Sequence, residues 1–147
     1  LEMYYHLVVS EFNEELISGL VDNTINSLID SEIKKENIEV SYVSGAYEIP
    51  QVISYDISKG KILPKIYIAL GAVIDGETNH AQMIISSTGK ALLDLSIKNN
   101  VFIINEIVGA PSYKCAYIRC VGNKDTRGWY AGKAAVKIAS NIISNYE

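Results

Sequence analysis

"KIYIALGAVI", Lys65–Ile74, is apolar at almost every position after its first residue. A strand with one wet face alternates apolar and polar side chains. An unbroken apolar strand is covered on both faces, the situation of a parallel strand beneath helices. The stretch therefore predicts the middle of an α/β sandwich, and the sequence on either side agrees. Upstream, "YYHLVV" (Tyr4–Val9) is short and rich in strand formers. Asn13 is expected to cap the helix that follows, in which Leu16, Ile17, Leu20, Val21, Ile25, Leu28 and Ile29 recur at helical spacing. "NIEVSYV" (Asn37–Val43) alternates as a strand, and "GAYEIPQVISYDIS" (Gly45–Ser58) reads as a turn and a helix with Pro50 in its first turn. Downstream, Ala81–Asn99 has helical spacing and "VFIINEIV" (Val101–Val108) is another strand. Helices near Tyr113–Val121 and Arg127–Tyr146 complete the chain. Strands alternating with helices predict one domain over residues 1–147, with a four-stranded parallel sheet between two helical layers.

Composition narrows the function. A chain of 147 residues, 48% hydrophobic and 20% charged, can bury a sufficient core without a disulfide or metal staple. A net charge of −4 and a pI near 5.2 argue against nucleic acid or an anionic membrane as partner. Cys115 and Cys120 form no CxxC pair, which fits a reduced, cytoplasmic setting. No apolar run is long enough for a membrane span, and no signal peptide is expected. Leu1 and Glu2, ahead of Met3, are expected to be non-native remnants. His6 and His80 are far apart and lack partners at ligand spacing, so no metal site is expected. There is no GxGxxG or GxxxxGK[ST], which counts against a dinucleotide or nucleoside-triphosphate site.

Ligands of open parallel sheets bind beyond the carboxyl ends of the strands. Phe12–Asn13, Ser44–Glu48, Gly76–His80 and Asn105–Glu106 are expected on that rim. "GETNH" (Gly76–His80) feeds a helix, so its backbone N–H groups and the helix dipole suit an anion. Thr78 adds a hydroxyl, and His80, in the first helical turn, suits proton transfer near neutral pH. The plainer reading makes Thr78 or Asn79 a helix cap and His80 a solvated residue. "SGAYEIP" offers Gly45 for close backbone approach, the Tyr47 ring, and Glu48 as an acceptor for hydroxyls; its plainer reading is an acidic helix start. In "EFN", Phe12 could stack on a planar heterocycle or pack into the core. "RCVGNKDTRG" carries Arg119, Lys124 and Arg127, which are phosphate ligands or a solvated basic loop.

Taken together, these segments resemble the 6,7-dimethyl-8-ribityllumazine synthase family. The resemblance runs from about Tyr4 to Tyr146. It rests on "FN" after the first strand, "SGAYEIP", "ALGAVIDGETNH", "GKALLDLS", Arg119, and "RGW" at 127–129, in this order and spacing. It implies a flavodoxin-like three-layer α/β/α sandwich, homopentamers or assemblies of pentamers with sites between adjacent subunits, and riboflavin synthase as a further partner. It also implies a cofactor-independent and metal-independent transferase of riboflavin biosynthesis. The implied reaction joins 5-amino-6-(D-ribitylamino)uracil to 3,4-dihydroxy-2-butanone 4-phosphate, giving 6,7-dimethyl-8-ribityllumazine, phosphate and water. By resemblance, Gly76, Glu77 and Thr78 hold the phosphate and His80 moves protons. Phe12 stacks on the pyrimidine with Asn13 beside it. Ala46, Tyr47 and Glu48 line the ribityl chain, and the backbone of Val73 and Ile74 reads the pyrimidine edge. Arg119 of a neighbouring subunit clamps the phosphate, with Arg127 in place of a family lysine.

Some positions depart from the family pattern. Asn105 stands where a neighbour's phenylalanine covers the pyrimidine. Ala81 and Gln82 replace an aromatic and an acidic residue, and Tyr130 replaces an acidic residue. The stretch before the first strand is short, where longer members carry an extra strand. These departures leave a second class open, a non-catalytic shell-forming or flavin-binding homologue. A flavin- or nucleotide-binding module on a similar fold is a third.

Overall fold

The computed structural model describes residues 2–59, 64–76 and 80–146. Strands β1 (Tyr4–Ser10), β2 (Ile38–Val43), β3 (Lys65–Ile74) and β4 (Phe102–Ala110) alternate with helices α1 (Glu14–Asp30), α2 (Ile49–Lys59), α3 (Ala81–Asn99), α4 (Tyr113–Cys120) and α5 (Arg127–Asn141). Short 3₁₀ turns occur at Lys35–Asn37, Ala46–Glu48 and Ile143–Tyr146. The sheet is parallel throughout, in the order β2-β1-β3-β4. This is the α/β sandwich expected from the unbroken apolar strand.

β3 lies between β1 and β4, and every residue after Lys65 is buried. Its side chains alternate between two cores. Ile66, Ile68, Leu70, Ala72 and Ile74 pack with Leu16, Leu20 and Leu28 of α1 and Ala131 and Ala135 of α5. Tyr67, Ala69 and Val73 pack with Ile49 and Ile53 of α2 and Leu92 of α3. Each large apolar side chain so buried stabilises the fold by about 1.5–3 kcal/mol. The α1–α5 contact needs small residues. A Cβ on Gly128 would lie 2.4 Å from the Leu20 carbonyl oxygen, and one on Gly132 would lie 2.6 Å from Ser27 Oγ. The glycine of the "RGW" segment is therefore a packing requirement.

The topology positions a site. β1 and β3 are neighbours, and the chain crosses from β1 to β2 on one side and from β3 to β4 on the other. The loops at the carboxyl ends of β1 and β3 part there and open a crevice, the usual ligand position in such sheets.

Several boundaries differ from expectation. Asn37 ends a 3₁₀ turn, and β2 starts at Ile38. The last helix stops at Asn141, followed by the turn Ile143–Tyr146. β4 continues to Ala110, because Gly109 and Ala110 still pair with Val73 and Ile74. Asn105 and Glu106 are consequently mid-strand, opposite Ala69 and Leu70, and do not lie beyond the strand's carboxyl end. Glu2 accepts a hydrogen bond from Asn37 Nδ2 at 2.9 Å and lies 3.3 Å from Lys34 Nζ.

Candidate active site

A cavity of 230 Å³ opens at the carboxyl ends of β1 and β3. Ser10 and Phe12 line it from β1 and its loop, Gly45 and Ala46 from the loop after β2, Ala72, Val73 and Ile74 from β3, and Ile84 from α3. Four residues expected in the site, Phe12, Ala46, Val73 and Ile74, thus come together from three separate segments. Phe12 is 59% exposed. A ring packed into the core would be covered, so this one is available to stack on a ligand.

The backbone explains how Phe12 is held outward. Glu11 N donates to Val43 O at 2.8 Å and extends the β1–β2 ladder past the strand's end. Asn13 then adopts the left-handed conformation, φ 67° and ψ 66°. It occupies the N-cap position of α1, yet its side chain makes no capping hydrogen bond. Nδ2 donates to Ala72 O at 3.4 Å and ties the Phe12 loop to the end of β3. The capping role expected of Asn13 is therefore replaced by a cross-link between two walls of the cavity. Asparagine suits either task, because it tolerates left-handed backbone and carries a short amide.

Beside the cavity, Glu48 accepts from Ser44 Oγ at 2.9 Å. Tyr47 is exposed and lines an adjoining 170 Å³ hollow with Gln51 of α2 and Ser87 of α3. On the other side, Asp75 N donates to Ala110 O at 2.9 Å, and Gly76 has φ 92°, a conformation that favours glycine. Glu77, Thr78 and Asn79 lie outside the described residues. His80 is exposed and forms the N-cap of α3, one position ahead of its expected place in the first turn. Its carbonyl accepts from Ile84 N at 2.9 Å, which makes it the start of the helix that supplies a cavity wall.

The remaining site residues gather around β4, and none lines the cavity. Asn105 is exposed; its Oδ1 accepts from Ile107 N at 3.1 Å. Arg119 Nη1 donates to Gly109 O at 2.6 Å. Arg127 Nε donates to Glu106 Oε1 at 2.5 Å, and its guanidinium lies 4.7 Å from the Tyr130 ring centre. The hydrogen bond to Glu106 holds Arg127 above its ordinary pKa. Glu106 is expected from the sequence only as a rim residue, with no role and no partner. Its signal was present: one carboxylate inside an apolar strand must find a cation when helices cover it. Ser10, Ala72 and Ile84 were missed as well; Ile84 follows His80 by one helical turn, so a wall on that face of α3 was legible.

A larger cleft of 410 Å³ lies beside Glu2, Glu32 and Lys34 near the amino end of β1, and two more, of 460 and 710 Å³, run along α1. Glu14 and Asp22 line both clefts along α1, with Glu11 in the smaller and Glu15 in the larger. Carboxylate walls repel an anionic ligand, so size does not favour them over the smaller apolar cavity. Among the described residues, no group of three or more His, Cys, Asp or Glu is placed to hold a metal ion, and no helix is long and apolar enough to cross a membrane.

A parallel sheet with a largely apolar crevice at its switch point and an exposed ring at the mouth defines a small-molecule-binding α/β protein of the doubly wound class. The particular family follows from the sequence. The family model for 6,7-dimethyl-8-ribityllumazine synthase matches residues 2–142 of the 147, and the chain belongs to that family. Its members are transferases of riboflavin biosynthesis that act on small molecules and assemble into oligomers.

Proposed function

We propose that the chain condenses 5-amino-6-(D-ribitylamino)uracil with 3,4-dihydroxy-2-butanone 4-phosphate, forming 6,7-dimethyl-8-ribityllumazine and releasing phosphate and water. The observation that carries this reading is the cavity built from Phe12, Ala46, Val73 and Ile74, on a chain of this family. The pyrimidine stacks on Phe12, with the backbone of Val73 and Ile74 along its edge and Asn13 beside it. The ribityl chain runs past Ala46 toward Tyr47 and Glu48. The amine attacks the ketone, and loss of water gives an imine. Phosphate then leaves, and the ring closes with loss of a second water. His80 moves protons in these steps, an aid typically worth about 10²–10⁴ in rate. Much of the remaining acceleration comes from holding two substrates together. Gly76, Glu77 and Thr78 bind the phosphate.

Arg119 and Arg127 complete the phosphate site from a neighbouring subunit. In support, both are anchored to β4, and neither lines the cavity that holds Phe12. Large apolar side chains left exposed on α3 (Leu93, Ile97) and α4 (Tyr117, Ile118) are the kind of surface a ring contact covers. We take the assembly to be a homopentamer or a multiple of it. Free Cys115 and Cys120 fit a cytoplasmic setting, and burial pushes the Cys120 thiol up to about 11, which leaves it unreactive. The test is to mix the two substrates with purified protein and follow lumazine fluorescence. Product formation well above the uncatalysed rate is expected. Its absence with assembled protein would leave a non-catalytic homologue.

A further inference from the structure

Glu106 is a carboxylate in the middle of β4 and only 7% exposed. Its partner, Arg127, is the first residue of α5, where the helix dipole disfavours a cation. Glu106 holds the Nε edge of this guanidinium and Tyr130, one turn along α5, lies under its face. The side chain remains 43% exposed. Nearby on the same strand, the Gly109 carbonyl holds Arg119 by Nη1. Two guanidiniums are thus anchored to one short stretch of β4, one by a side chain and one by the backbone. A buried ion pair is weak as a stability device, since apolar replacements often do as well. A cation kept at a helix N-terminus, and oriented there by a buried acid, calls for another reason.

We propose that Glu106 is a positioning residue: by engaging Nε it turns the Nη pair of Arg127 outward, so that Arg127 and Arg119 together receive the oxyanion of a phosphorylated substrate. A guanidinium fixed through Nε presents two parallel donors to a phosphate, whereas a free arginine must lose rotamer entropy to do so. The proposal rests on the reading that Arg119 and Arg127 serve the phosphate.

The test compares the parent with Glu106→Gln, Glu106→Met, Arg127→Met and the double variant Glu106→Met/Arg127→Met. Three quantities are read: KM for each substrate, inhibition by inorganic phosphate, and direct phosphate binding by calorimetry. Glu106→Met should weaken the phosphate-bearing substrate and inorganic phosphate on the order of tenfold, with little change for the amine substrate, as expected for losing one oriented charge-assisted contact. Glu106→Gln, whose amide oxygen still accepts from Nε, should recover most of that loss. In the Arg127→Met background, Glu106→Met should add nothing, because Glu106 acts through Arg127. If Glu106→Met does not fold, Glu106→Gln lying between the parent and Arg127→Met, selectively for phosphate, supports the proposal. Unselective changes, or additive losses in the double variant, overturn it while leaving the reaction intact. A parent that makes no product yet binds phosphate in a Glu106-dependent way overturns the reaction and keeps the positioning role. A parent that makes product but whose phosphate binding and KM values do not respond to Glu106 overturns the positioning role alone, and one that neither makes product nor binds phosphate overturns both.

Discussion

Asn13 and Ala72, distant in sequence, are joined by an amide–carbonyl hydrogen bond of 3.4 Å, which links the loop that carries Phe12 to the end of β3. Replacing Asn13 separates backbone from side chain. Asn13→Gly keeps the left-handed conformation and loses the amide, so it should weaken the pyrimidine substrate while costing no more than about 1 kcal/mol of stability. Asn13→Ala also strains the backbone and should cost about 1–2 kcal/mol more. Chemical unfolding together with KM for each substrate checks both. Equal stability in the two variants would show that the conformation is not under strain.

His80→Ala should fold and assemble, since the residue is exposed at the start of α3, and should lose turnover by roughly 10–10³. The reaction should persist because positioning remains. Steady-state kinetics on assembled variant protein is the measurement, and unchanged turnover would remove His80 from the chemistry.

Acid should weaken the fold through His6. This residue is 2% exposed, with Nε2 2.7 Å from Ser41 Oγ and Nδ1 3.5 Å from Asp56 Oδ2. Burial pushes its pKa below the ordinary value and outweighs the opposing pull of Glu39 and Asp56; Lys65 lowers it further. The unfolded chain therefore binds a proton near pH 6.5 that the folded one resists, and stability falls as the pH drops below about 6.5, by up to about 1.4 kcal/mol per unit. Asp56 adds a loss in the same direction at lower pH. Burial raises its pKa, but hydrogen bonds from Tyr67 and Lys65 and the charges of Lys65 and His6 together hold it below the usual carboxylate range. Unfolding midpoints at pH 7.5, 6.5 and 5.5, at fixed protein concentration, should fall for the parent and much less for His6→Asn. Parallel slopes would contradict this assignment.

Asn105→Phe should tighten the pyrimidine substrate by about 0.5–1.5 kcal/mol, the worth of an aromatic pair beyond area burial. The asparagine is exposed and its only side-chain hydrogen bond among the described residues is the local one to Ile107 N, so the fold should tolerate the change. Titration with a pyrimidine analogue measures it. No gain would mean that Asn105 does not face the ring of a neighbour's ligand.

The sheet was legible because burial on both faces of β3 leaves a plain mark, an apolar run without alternation. The crevice followed from topology, and Phe12 and Ala46 from their place at its rim, whereas Val73 and Ile74 came only from the family resemblance. Asn13 holds the expected N-cap position, but its side chain bonds the Ala72 carbonyl instead of capping, a distinction no local pattern reports because capping and left-handed turning select the same residue type. Asn105 and Glu106 look like a strand's end because they are polar. Their mid-strand place depends on Gly109 and Ala110, which carry no strand signal of their own and pair only through β3. The Glu106–Arg127 pair joins separate elements, and no local pattern reports which cation a buried acid finds.

The central claim is an active site shared between two copies of the chain, with Phe12 and His80 on one and Arg119 and Arg127 on the other. It is tested most directly by mixing Arg119→Ala chains with His80→Ala chains, each impaired alone, and measuring lumazine formation by rings verified to contain both. Such rings include interfaces in which His80 and Arg119 are both intact, so activity should rise above that of either variant by itself. Activity no higher than the average of the two parent variants would place His80 and Arg119 in one subunit's site, or outside any site, and would contradict the account.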